Sequence, residues 1–500
     1  MLERRAAAEL AYRAQLDTME APSIIQPMLG VCQTWGARLP AALLAALLVS
    51  SCDGDSSSST GAAHPADTRP DVLLITIDTL RSDHSSAYGY PLDTTPMISA
   101  LAKDGVLFET VYAPVGATCP SHASLFTSKY PISHGVVRNG LELVEEERTL
   151  TEIMRDAGYT TGGFVSSFPV TQRFGFGQGF DHYDEVFDEE SSKIGLNHWT
   201  KEEVEGGFDR PGLVTVRAAM DWLDGVSADE PVFLWVHVFD PHFPYHRRPR
   251  FRQRFPDKPT NVEEDRIMDY DSEVAFADSA VGEVLERFRA RASGRGELVV
   301  LTADHGEGLD DHGLPGHNAT VYEEELRIPL VIAWAGELPT GERVAHPAHL
   351  VDVAPTIVGL LELDADEEFQ GIDLSPYMRG STKSDTERPV FFQKPTYPRE
   401  RKRFDQLGAA HGVRIGRWKY TEPVEDEVAE LYDLVADPDE RVNLVESEPE
   451  RVAELSAVLG EWLAAQRASD PQRDLQENPD NDAGLRALGY LDDEPTEEDE

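Results

Sequence analysis

The chain has 500 residues, 40% of them hydrophobic, and is long enough to bury a substantial core. Its formal net charge of −46 argues against general binding to nucleic acid or to an anionic bilayer, because like charges repel. A site for an anionic substrate must therefore be locally positive, through a metal ion, histidine, lysine or arginine. Of the three cysteines, only Cys119 lies outside the N-terminal segment, so the body of the protein can form no internal disulfide.

The N-terminal segment predicts export and anchoring rather than a part of the fold. The apolar run 39–49 is too short to span a bilayer and has the length of a signal-peptide hydrophobic region. Val49-Ser-Ser-Cys52 resembles the lipobox of bacterial lipoproteins, so residues 1–52 are predicted to be a signal or lipoprotein segment and 53–69 a flexible tether. These patterns predict an exported protein, lipid-anchored through Cys52 at a membrane of the bacterial cell envelope. A plain secretory signal with a chance cysteine stays open.

The segment 70–382 predicts an α/β domain with a mostly parallel sheet flanked by helices. Continuous apolar runs, typical of strands buried on both faces, occupy 71–78, 231–239, 297–303 and 328–334. Helical patterns lie between them, at about 95–103, 150–157, 214–223, 272–292 and 352–361. Strands that alternate with helices favour parallel pairing.

Beyond residue 382 the pattern changes to short strand-like runs at 389–393, 412–415, 418–422 and 430–434, followed by a helix at about 448–467. This predicts a small α+β subdomain with an antiparallel sheet over 383–490. The last residues, 491–500, are acidic and are predicted to be a disordered tail.

Acidic residues stand at the ends of three predicted strands: Asp78, Asp240 and Asp304. In parallel sheets, ligands bind outside the carboxyl ends of the strands, so these acids predict a site at one edge of the sheet. Asp304 is followed directly by His305, and carboxylate with imidazole suits Zn, Mn, Mg or Ca. We therefore predict a divalent metal site with Asp78, Asp304 and His305 as ligands.

Thr118 could supply a fourth oxygen ligand. A divalent ion lowers the pKa of an alcohol and neutralises charge on a tetrahedral oxyanion. Thr118 also stands at a predicted helix start, with Pro120 near the first helical position, where the helix dipole favours an anion. A simple N-cap role for Thr118 is the other interpretation, and the two are compatible.

Two loop histidines, His242 and His317, are candidates for contacts to the oxyanion and for protonation of the leaving group. Lone histidines on loops are more often just solvated. Each of these two, however, lies close in sequence to an acid at a strand end, Asp240 for one and Asp304 for the other.

The order and the amino-acid sequences of these segments resemble those of the sulfatase family of the alkaline phosphatase superfamily. The resemblance covers the chain from about residue 71 to the C-terminus and implies an alkaline-phosphatase-like fold. It is carried by matching segments at 73–81, 88–90, 120–127, 130–136, 240–244, 304–308, 351–357, 430–434 and 487–490.

The resemblance also implies roles for single residues. Asp78, Asp304 and His305 fall on metal-ligand positions of the family, and Thr118 falls on the nucleophile. Thr79 stands where the family usually has the second acid of an Asp-Asp pair, which removes one expected ligand.

Three histidines take further positions of the family. His242 matches its active-site histidine, His317 stands where many sulfatases have a lysine, and His122 occupies the place of an arginine that supports the nucleophile. The Lys-x-His motif expected after the next strand is absent, since 161–167 offers only hydroxyls.

The register around Pro120 bears on the chemistry. Sulfatases that depend on formylglycine need Cys (or Ser)-x-Pro-x-Arg, with the modified residue two positions before the proline. That position holds Thr118, Cys119 is one position late, and no arginine follows at the required place. The pattern is closer to phosphonate and phosphodiester hydrolases and to sulfatase-like proteins with a threonine nucleophile.

Together these observations predict a metal-dependent hydrolase of small anionic sulfate or phosphate esters, or of sulfated or phosphorylated glycans or lipids, acting through a covalent threonine ester. Alternatives that stay open are a formylglycine-type arylsulfatase, a membrane-facing phospho-group transferase and a non-catalytic glycan-binding module. A dinuclear site that uses Asp240 with His242 or His246 is a further alternative.

Overall fold

The computed structural model describes residues 69–187, 192, 207–255, 259–291, 294–314, 316–364, 366–395, 409–424 and 428–469. The predicted signal segment, Cys52 and the acidic tail lie outside these residues, so their assignments stay predictions. Within the described ranges, no helix has both the length and the apolar character needed to cross a bilayer.

The main sheet has eight strands in the order β5-β4-β6-β1-β7-β8-β2-β9. β1 lies at its centre, parallel to β6 on one side and to β7 on the other, whereas β8 runs antiparallel to β7 and β2. The mostly parallel sheet predicted from the sequence is therefore confirmed. The strands are β1 (Asp71–Ile77), β2 (Val106–Phe108), β4 (Thr160–Phe164), β5 (His182–Asp184), β6 (Val232–Val238), β7 (Glu297–Ala303), β8 (Leu330–Trp334) and β9 (Glu342–Val344).

The central strands are buried along their whole length, because helices cover the sheet on both faces. The α-helices are α1 (Pro96–Asp104), α2 (Thr118–Thr127), α3 (Pro131–His134), α4 (Leu150–Asp156), α5 (Gly212–Gly225), α6 (Pro249–Arg252), α7 (Val262–Arg291), α8 (Glu323–Leu326), α9 (Val353–Leu360), α10 (Ser375–Met378) and α11 (Pro449–Ser469). Short 3₁₀ helices occupy Ser82–His84, Ser86–Tyr88, Phe168–Val170, Gln172–Phe174 and Leu350–Asp352.

Two interior strands, β2 and β4, are not among the strands predicted from the sequence, and β4 shows why. Its sequence Thr-Thr-Gly-Gly-Phe lacks the apolar run of its neighbours. Gly162 is needed there because a Cβ atom at this position would lie 2.6 Å from the indole ring of Trp222. The close approach of the indole to the sheet thus explains a glycine that weakens the strand pattern.

The C-terminal part contains the predicted antiparallel sheet, with strands in the order β11-β12-β13-β14. These strands are β11 (Val390–Gln393), β12 (Ala410–Ile415), β13 (Trp418–Pro423) and β14 (Glu430–Asp433), and α11 packs on β12 and β13. A further pair, β3 (Val111–Tyr112) and β10 (Ala348–His349), forms a small parallel sheet. The fold class is confirmed, while the domain boundary near residue 383 stays a prediction.

A buried ion cluster ties the antiparallel sheet to the main body. The side chain of Lys419 on β13 is 1% exposed, and its Nζ lies 3.2 Å from Glu323 Oε1 and 2.8 Å from Glu440 Oε1. Glu323 begins α8, which directly precedes strand β8 of the main sheet in the chain, so the lysine joins the two parts through charge pairs.

Candidate active site

Two acids and one histidine meet where β1 and β7 end. Asp78 and Asp304 follow these neighbouring strands directly, and both side chains are fully buried. Nε2 of His305 lies 3.5 Å from Asp304 Oδ2 and 3.9 Å from Asp78 Oδ1. One ligand atom from each residue falls within a mutual distance of 4.8 Å. The structure thus brings together the three residues that the sequence assigned to a metal.

The backbone beyond Asp78 fixes the orientation of Asp304. Thr79 has a left-handed backbone with φ of 54°, and its N–H donates to Asp304 Oδ1 at 3.2 Å. The N–H of His305 donates to the same oxygen at 2.8 Å, and the Tyr270 hydroxyl donates to the Thr79 carbonyl at 2.8 Å. Asp304 Oδ1 is therefore satisfied by the protein, and Oδ2 is the oxygen that faces His305.

The environment of Asp304 Oδ2 is the main reason why the site suits a metal ion. This oxygen is buried and accepts no hydrogen bond from the described residues. Burial works to raise the pKa of Asp304, yet the neighbouring His305, His122 and His237 together hold it below its usual range. A buried carboxylate oxygen without a donor is costly unless a cation compensates it. The oxygen and imidazole donors present here fit a divalent ion.

Thr118 stands beside this group as the first residue of α2. Its Oγ1 lies 3.3 Å from His305 Nε2, while the His305 Nδ1–H donates to the Gly306 carbonyl at 2.8 Å and leaves a lone pair on Nε2. The N-cap of α2 is Ala117 and not Thr118, and Pro120 is the third residue of the helix. The simple N-cap interpretation of Thr118 is therefore wrong, and its hydroxyl faces the metal-ligand group.

His122 lies behind the nucleophile position. Its Nδ1–H donates to the Thr118 carbonyl at 2.9 Å, and its Nε2 accepts from the Thr76 hydroxyl at 3.1 Å. The indole N–H of Trp235 donates to the same Thr76 oxygen at 3.0 Å, which directs the hydroxyl hydrogen towards His122. Burial lowers the pKa of His122 to about 3, so the ring is neutral at neutral pH. It can support the first turn of α2 without touching a substrate.

His242 and His317 continue the site on the other side of His305. The ring centroids of His305 and His317 are 4.5 Å apart, and those of His317 and His242 are 4.9 Å apart. Glu307 Oε1 accepts from His317 Nδ1 at 3.0 Å, and the Phe243 carbonyl accepts from His242 Nδ1. Each ring is thus oriented through its Nδ1.

Glu307 is a site residue that the sequence argument did not single out. It is fully buried, and burial raises its pKa. The available signal was its place in the segment Asp304-His-Gly-Glu-Gly308. Its partner His317 follows ten residues later in a loop, and this pairing is visible only in three dimensions.

Asp240 reaches the same edge of the sheet but has another task. Its Oδ2 accepts from the N–H of Gly212 at 2.7 Å, and its Oδ1 pairs with Arg248 at 3.0 Å. The acid therefore holds the start of α5 and an arginine. Because both oxygens are engaged, this arrangement gives no support to a second metal held by Asp240 with His242 or His246.

Cys119 is directed away from the metal-ligand group. Its thiol donates to the Pro169 carbonyl at 2.9 Å, and its N–H donates to Asn139 Oδ1 at 2.8 Å. Burial raises the pKa of the Cys119 thiol to about 12. The side chain is an inert, buried neighbour of Thr118. A formylglycine-type mechanism needs a cysteine or serine at the reacting position, and Cys119 does not occupy that position.

A second trio of candidate ligands, His122, His237 and Asp304, shares one acid with the first. His122 cannot serve there, because its Nδ1 proton is directed at the Thr118 carbonyl and its Nε2 accepts from Thr76. His237 is not among the site residues predicted from the sequence. It lies inside the apolar run of β6, where nothing in the local sequence distinguishes it from other residues of a buried strand. The first trio, with Thr118, is thus the coherent ligand set.

The comparison with protein families decides the identification. A family model described as Sulfatase matches residues 70–363, and one described as N-sulphoglucosamine sulphohydrolase, C-terminal, matches residues 311–469. The chain belongs to the sulfatase family. It is accordingly an esterase of the sulfuric ester hydrolase type, as the sequence motifs implied.

Curated relatives of this sulfatase-family chain match it over most of their length. It is 26% identical over 474 residues to the ulvan-active sulfatase of Formosa agariphila, covering 88% of this chain and 90% of that protein. It is 26% identical over 479 residues to the Δ4,5-hexuronate-2-O-sulfatase of Bacteroides thetaiotaomicron, with 86% and 96% covered. Human arylsulfatase A is 27% identical over 453 residues, with 75% and 83% covered.

Solved structures share the fold of this sulfatase-family chain. A protein crystallised with its substrate D-glucosamine-2-N,6-O-disulfate superposes with a TM-score of 0.68 at 19% identity, covering 81% of this chain and all of that one. The phosphonate monoester hydrolase of Agrobacterium radiobacter gives a TM-score of 0.65 at 21% identity, with 80% and 96% covered. Both likenesses confirm the alkaline-phosphatase-like architecture.

Proposed function

We propose that this protein hydrolyses sulfate esters of carbohydrates through a covalent ester of Thr118, with a divalent metal ion held by Asp78, Thr118, Asp304 and His305. One observation carries the proposal. The Thr118 hydroxyl lies 3.3 Å from His305 Nε2, within the group of buried acids at the carboxyl edge of the sheet. Sequence motifs and family membership agree with it.

A divalent ion bound by these residues would supply Lewis acidity, which lowers the pKa of the Thr118 hydroxyl and neutralises charge on the tetrahedral centre. The two carboxylates and the imidazole are the protein's contribution to that site. Zn, Mn, Mg and Ca all accept such donors, with imidazole favouring the transition metals.

The first step is an in-line displacement. Oγ1 of Thr118, which has already lost its proton to solvent, forms a bond to sulfur while the bond from sulfur to the ester oxygen of the substrate breaks, and the sulfuryl group is left on threonine. We assign the proton for the departing oxygen to His317, because a carboxylate on Nδ1 stabilises a positively charged ring. His242 has a backbone carbonyl at that place and contributes a contact to the oxyanion.

The second step is cleavage of the threonine ester by water. A formylglycine hydrate can release sulfate by elimination, which regenerates its aldehyde, but a threonine ester has no such route. Water must therefore attack sulfur directly, with Thr118 Oγ1 as the leaving group. His317, having given up its Nε2 proton in the first step, is in the state to accept one from that water.

The substrate class is proposed from the relatives. The names of several relatives specify sulfated carbohydrates or their sulfate groups, namely ulvan, 2-O-sulfated hexuronate and 6-sulfated N-acetylglucosamine. The formal charge of −46 disfavours long polyanions at a distance, so a small sulfated sugar is the better match.

A phosphate or phosphonate ester is the second candidate. It is favoured by the threonine at the nucleophile position, since a phosphorylated threonine is cleaved by water without an aldehyde. The fold likeness to a phosphonate monoester hydrolase points the same way. Both candidates use the same residues, because each substrate presents an anionic tetrahedral centre.

We also propose that the protein is exported and anchored through Cys52. The proposal is supported by the apolar run 39–49 and by the lipobox-like Val49-Ser-Ser-Cys52. Incorporation of a labelled palmitate analogue, and its loss on Cys52→Ala substitution, would support it. Absence of label in the parent protein would rule out the anchor.

The deciding experiment compares turnover of four substrates by one purified preparation, with elemental analysis for metal. The substrates are an aryl sulfate, a phosphate monoester, a phosphodiester and a phosphonate monoester. We expect hydrolysis of the sulfate, bound divalent metal and loss of activity with a chelator. Preference for a phosphorus ester would select the second candidate, and a protein without metal or turnover would contradict both.

A further inference from the structure

His237 lies directly beneath the metal-ligand group, on the neighbouring strand. In the parallel pairing of β1 and β6 it stands opposite Thr76, two residues before Asp78, so its side chain is on the face that carries Asp78. Its side chain is fully buried, and Nε2 lies 3.5 Å from Asp78 Oδ2. This separation is at the limit of a hydrogen bond, and the nitrogen makes no shorter hydrogen bond with any described residue.

The backbone of Ser166 determines which nitrogen of His237 carries the proton. The N–H of Ser166 donates to Nδ1 at 3.3 Å, so Nδ1 presents its lone pair. The hydrogen of the neutral ring must then be on Nε2, the nitrogen that faces Asp78. The Ser166 hydroxyl donates to the His237 carbonyl at 2.6 Å and contacts Thr215 Oγ1 at 2.7 Å. Ser166 thus fixes the ring in two ways, through a hydrogen bond to the His237 backbone carbonyl and through a hydrogen bond to Nδ1 of the ring.

A nitrogen that carries a hydrogen cannot coordinate a metal, which removes His237 from the candidate ligands. Its Nε2–H is instead a buried donor whose nearest acidic oxygen is Asp78 Oδ2. The other oxygen, Oδ1, is the one on the side of His305. Carboxylates that bind a metal commonly receive a hydrogen bond from an outer residue, which fixes their orientation.

We propose that His237 is a positioning residue that donates from Nε2–H to Asp78 Oδ2 and so keeps Oδ1 directed at the metal. The inference rests on the proposed metal-dependent function, which it deepens. It also gives a role to the hydroxyl-rich segment 161–167, because Ser166 within that segment sets the tautomer of the histidine.

The test compares three substitutions of His237 in the full chain. His237→Gln keeps an amide N–H at about the reach of Nε2, His237→Asn carries the same amide on a shorter side chain, and His237→Leu removes the donor. Val236→Ala is the matched control, because Val236 is buried in the same strand but points to the opposite face of the sheet. Each protein is stripped of metal and then titrated with Mn²⁺ or Co²⁺ against a competing chelator.

We expect His237→Leu to weaken metal affinity by about 10- to 100-fold, the usual effect of losing an outer hydrogen bond. His237→Gln should bind nearly as tightly as the parent protein and keep its Co²⁺ absorption spectrum, whereas His237→Asn should resemble His237→Leu. Val236→Ala should lower thermal stability with no change in affinity or spectrum. If the Leu variant does not fold, the comparison of His237→Gln with His237→Asn still tests the proposed hydrogen bond, because the two side chains differ only in the distance to which they extend the amide.

Two results would overturn the inference while leaving the metal-dependent function intact. Parent-like affinity in both His237→Asn and His237→Leu would show that the donor has no effect on the ion. A large change in the Co²⁺ spectrum of His237→Gln, with affinity as low as in the Leu variant, would make His237 a direct ligand. A parent protein that binds no Mn²⁺ or Co²⁺ would contradict the proposed function itself, and the inference would fail with it.

Discussion

Two of the buried charge clusters in the described part of the protein are built differently. Around Lys419, one ammonium group is buried between the carboxylates of Glu323 and Glu440, so the chain supplies both signs of charge. Around Asp304, a carboxylate meets only imidazoles, and no lysine or arginine of the described residues lies within 4.0 Å of it. The described residues thus supply the first cluster with its cation, whereas they supply the second with neither lysine nor arginine.

This difference separates a structural cluster from a functional one. Burial of ions is costly, and a protein that gains only stability from them must pair them internally, as Lys419 does. A cluster whose negative charge is not balanced by the chain can instead bind a cation from solution. Two clusters of similar burial can therefore have opposite roles, and their partners distinguish them.

The largest effect is expected from Thr118→Ala. Without the hydroxyl there is no nucleophile next to the acidic cluster, so kcat should fall by about 10⁴-fold or more. Thr118→Ser is the matched control, because it retains a hydroxyl and should keep a measurable part of the rate. Steady-state turnover of the best ester substrate checks this, and parent-like rates in the alanine variant would remove Thr118 from the mechanism.

Asp304→Asn tests whether the second cluster is built for a cation. The amide retains an oxygen for the N–H groups of Thr79 and His305 but loses the charge, so metal affinity should drop by more than about 100-fold, beyond the range for outer residues. In metal-free buffer, the variant should melt somewhat below the parent, because the neighbouring histidines hold the pKa of Asp304 below its usual range and folding therefore favours the charged carboxylate. An unchanged metal affinity would contradict the comparison.

Lys419→Met should mainly lower the stability of the protein and leave metal affinity unchanged, the reverse of Asp304→Asn. It leaves two buried carboxylates without their cation, so the free energy of unfolding should fall by about 3–5 kcal/mol. Metal affinity should be unaffected while the protein is folded. Arg148→Met is the control, since the exposed Arg148–Asp156 pair should contribute at most about 1 kcal/mol. Chemical denaturation of the variants measures both, and similar losses would erase the distinction between buried and exposed pairs.

The smallest effect is expected from Cys119→Ala. The thiol lies outside both charge clusters and contacts a backbone carbonyl, so turnover should stay within about threefold of the parent. Native protein should also resist alkylation by iodoacetamide near neutral pH, because burial raises the thiol pKa to about 12. A loss of turnover in Cys119→Ala would revive the formylglycine alternative.

Much of this arrangement followed from local sequence. The apolar runs gave the central strands to within a few residues, because a strand buried on both faces needs no polar alternation. The acids at the ends of β1 and β7 could be placed together because parallel strands share one carboxyl edge. The helix predicted at 272–292 begins ten residues earlier, at Val262, since its first turns are acidic and exposed and show no apolar stripe.

The remaining parts depend on contacts between distant segments. His237 stands in an apolar run, and only the register of β6 against β1 places it under Asp78. The pairing of Glu307 with His317 depends on how a loop folds back. Asp240 had the same local pattern as its two neighbours, and only its contacts with Gly212 and Arg248 show that it serves packing.

The left-handed backbone at Thr79 determines which side chains suit this position. A β-branched residue is disfavoured there, whereas aspartate, asparagine and glycine adopt this conformation more readily. The loop after β1 is thus already shaped for the second aspartate that the family usually has at this position. A single substitution, Thr79→Asp, would therefore add a carboxylate to this loop without requiring a new backbone conformation.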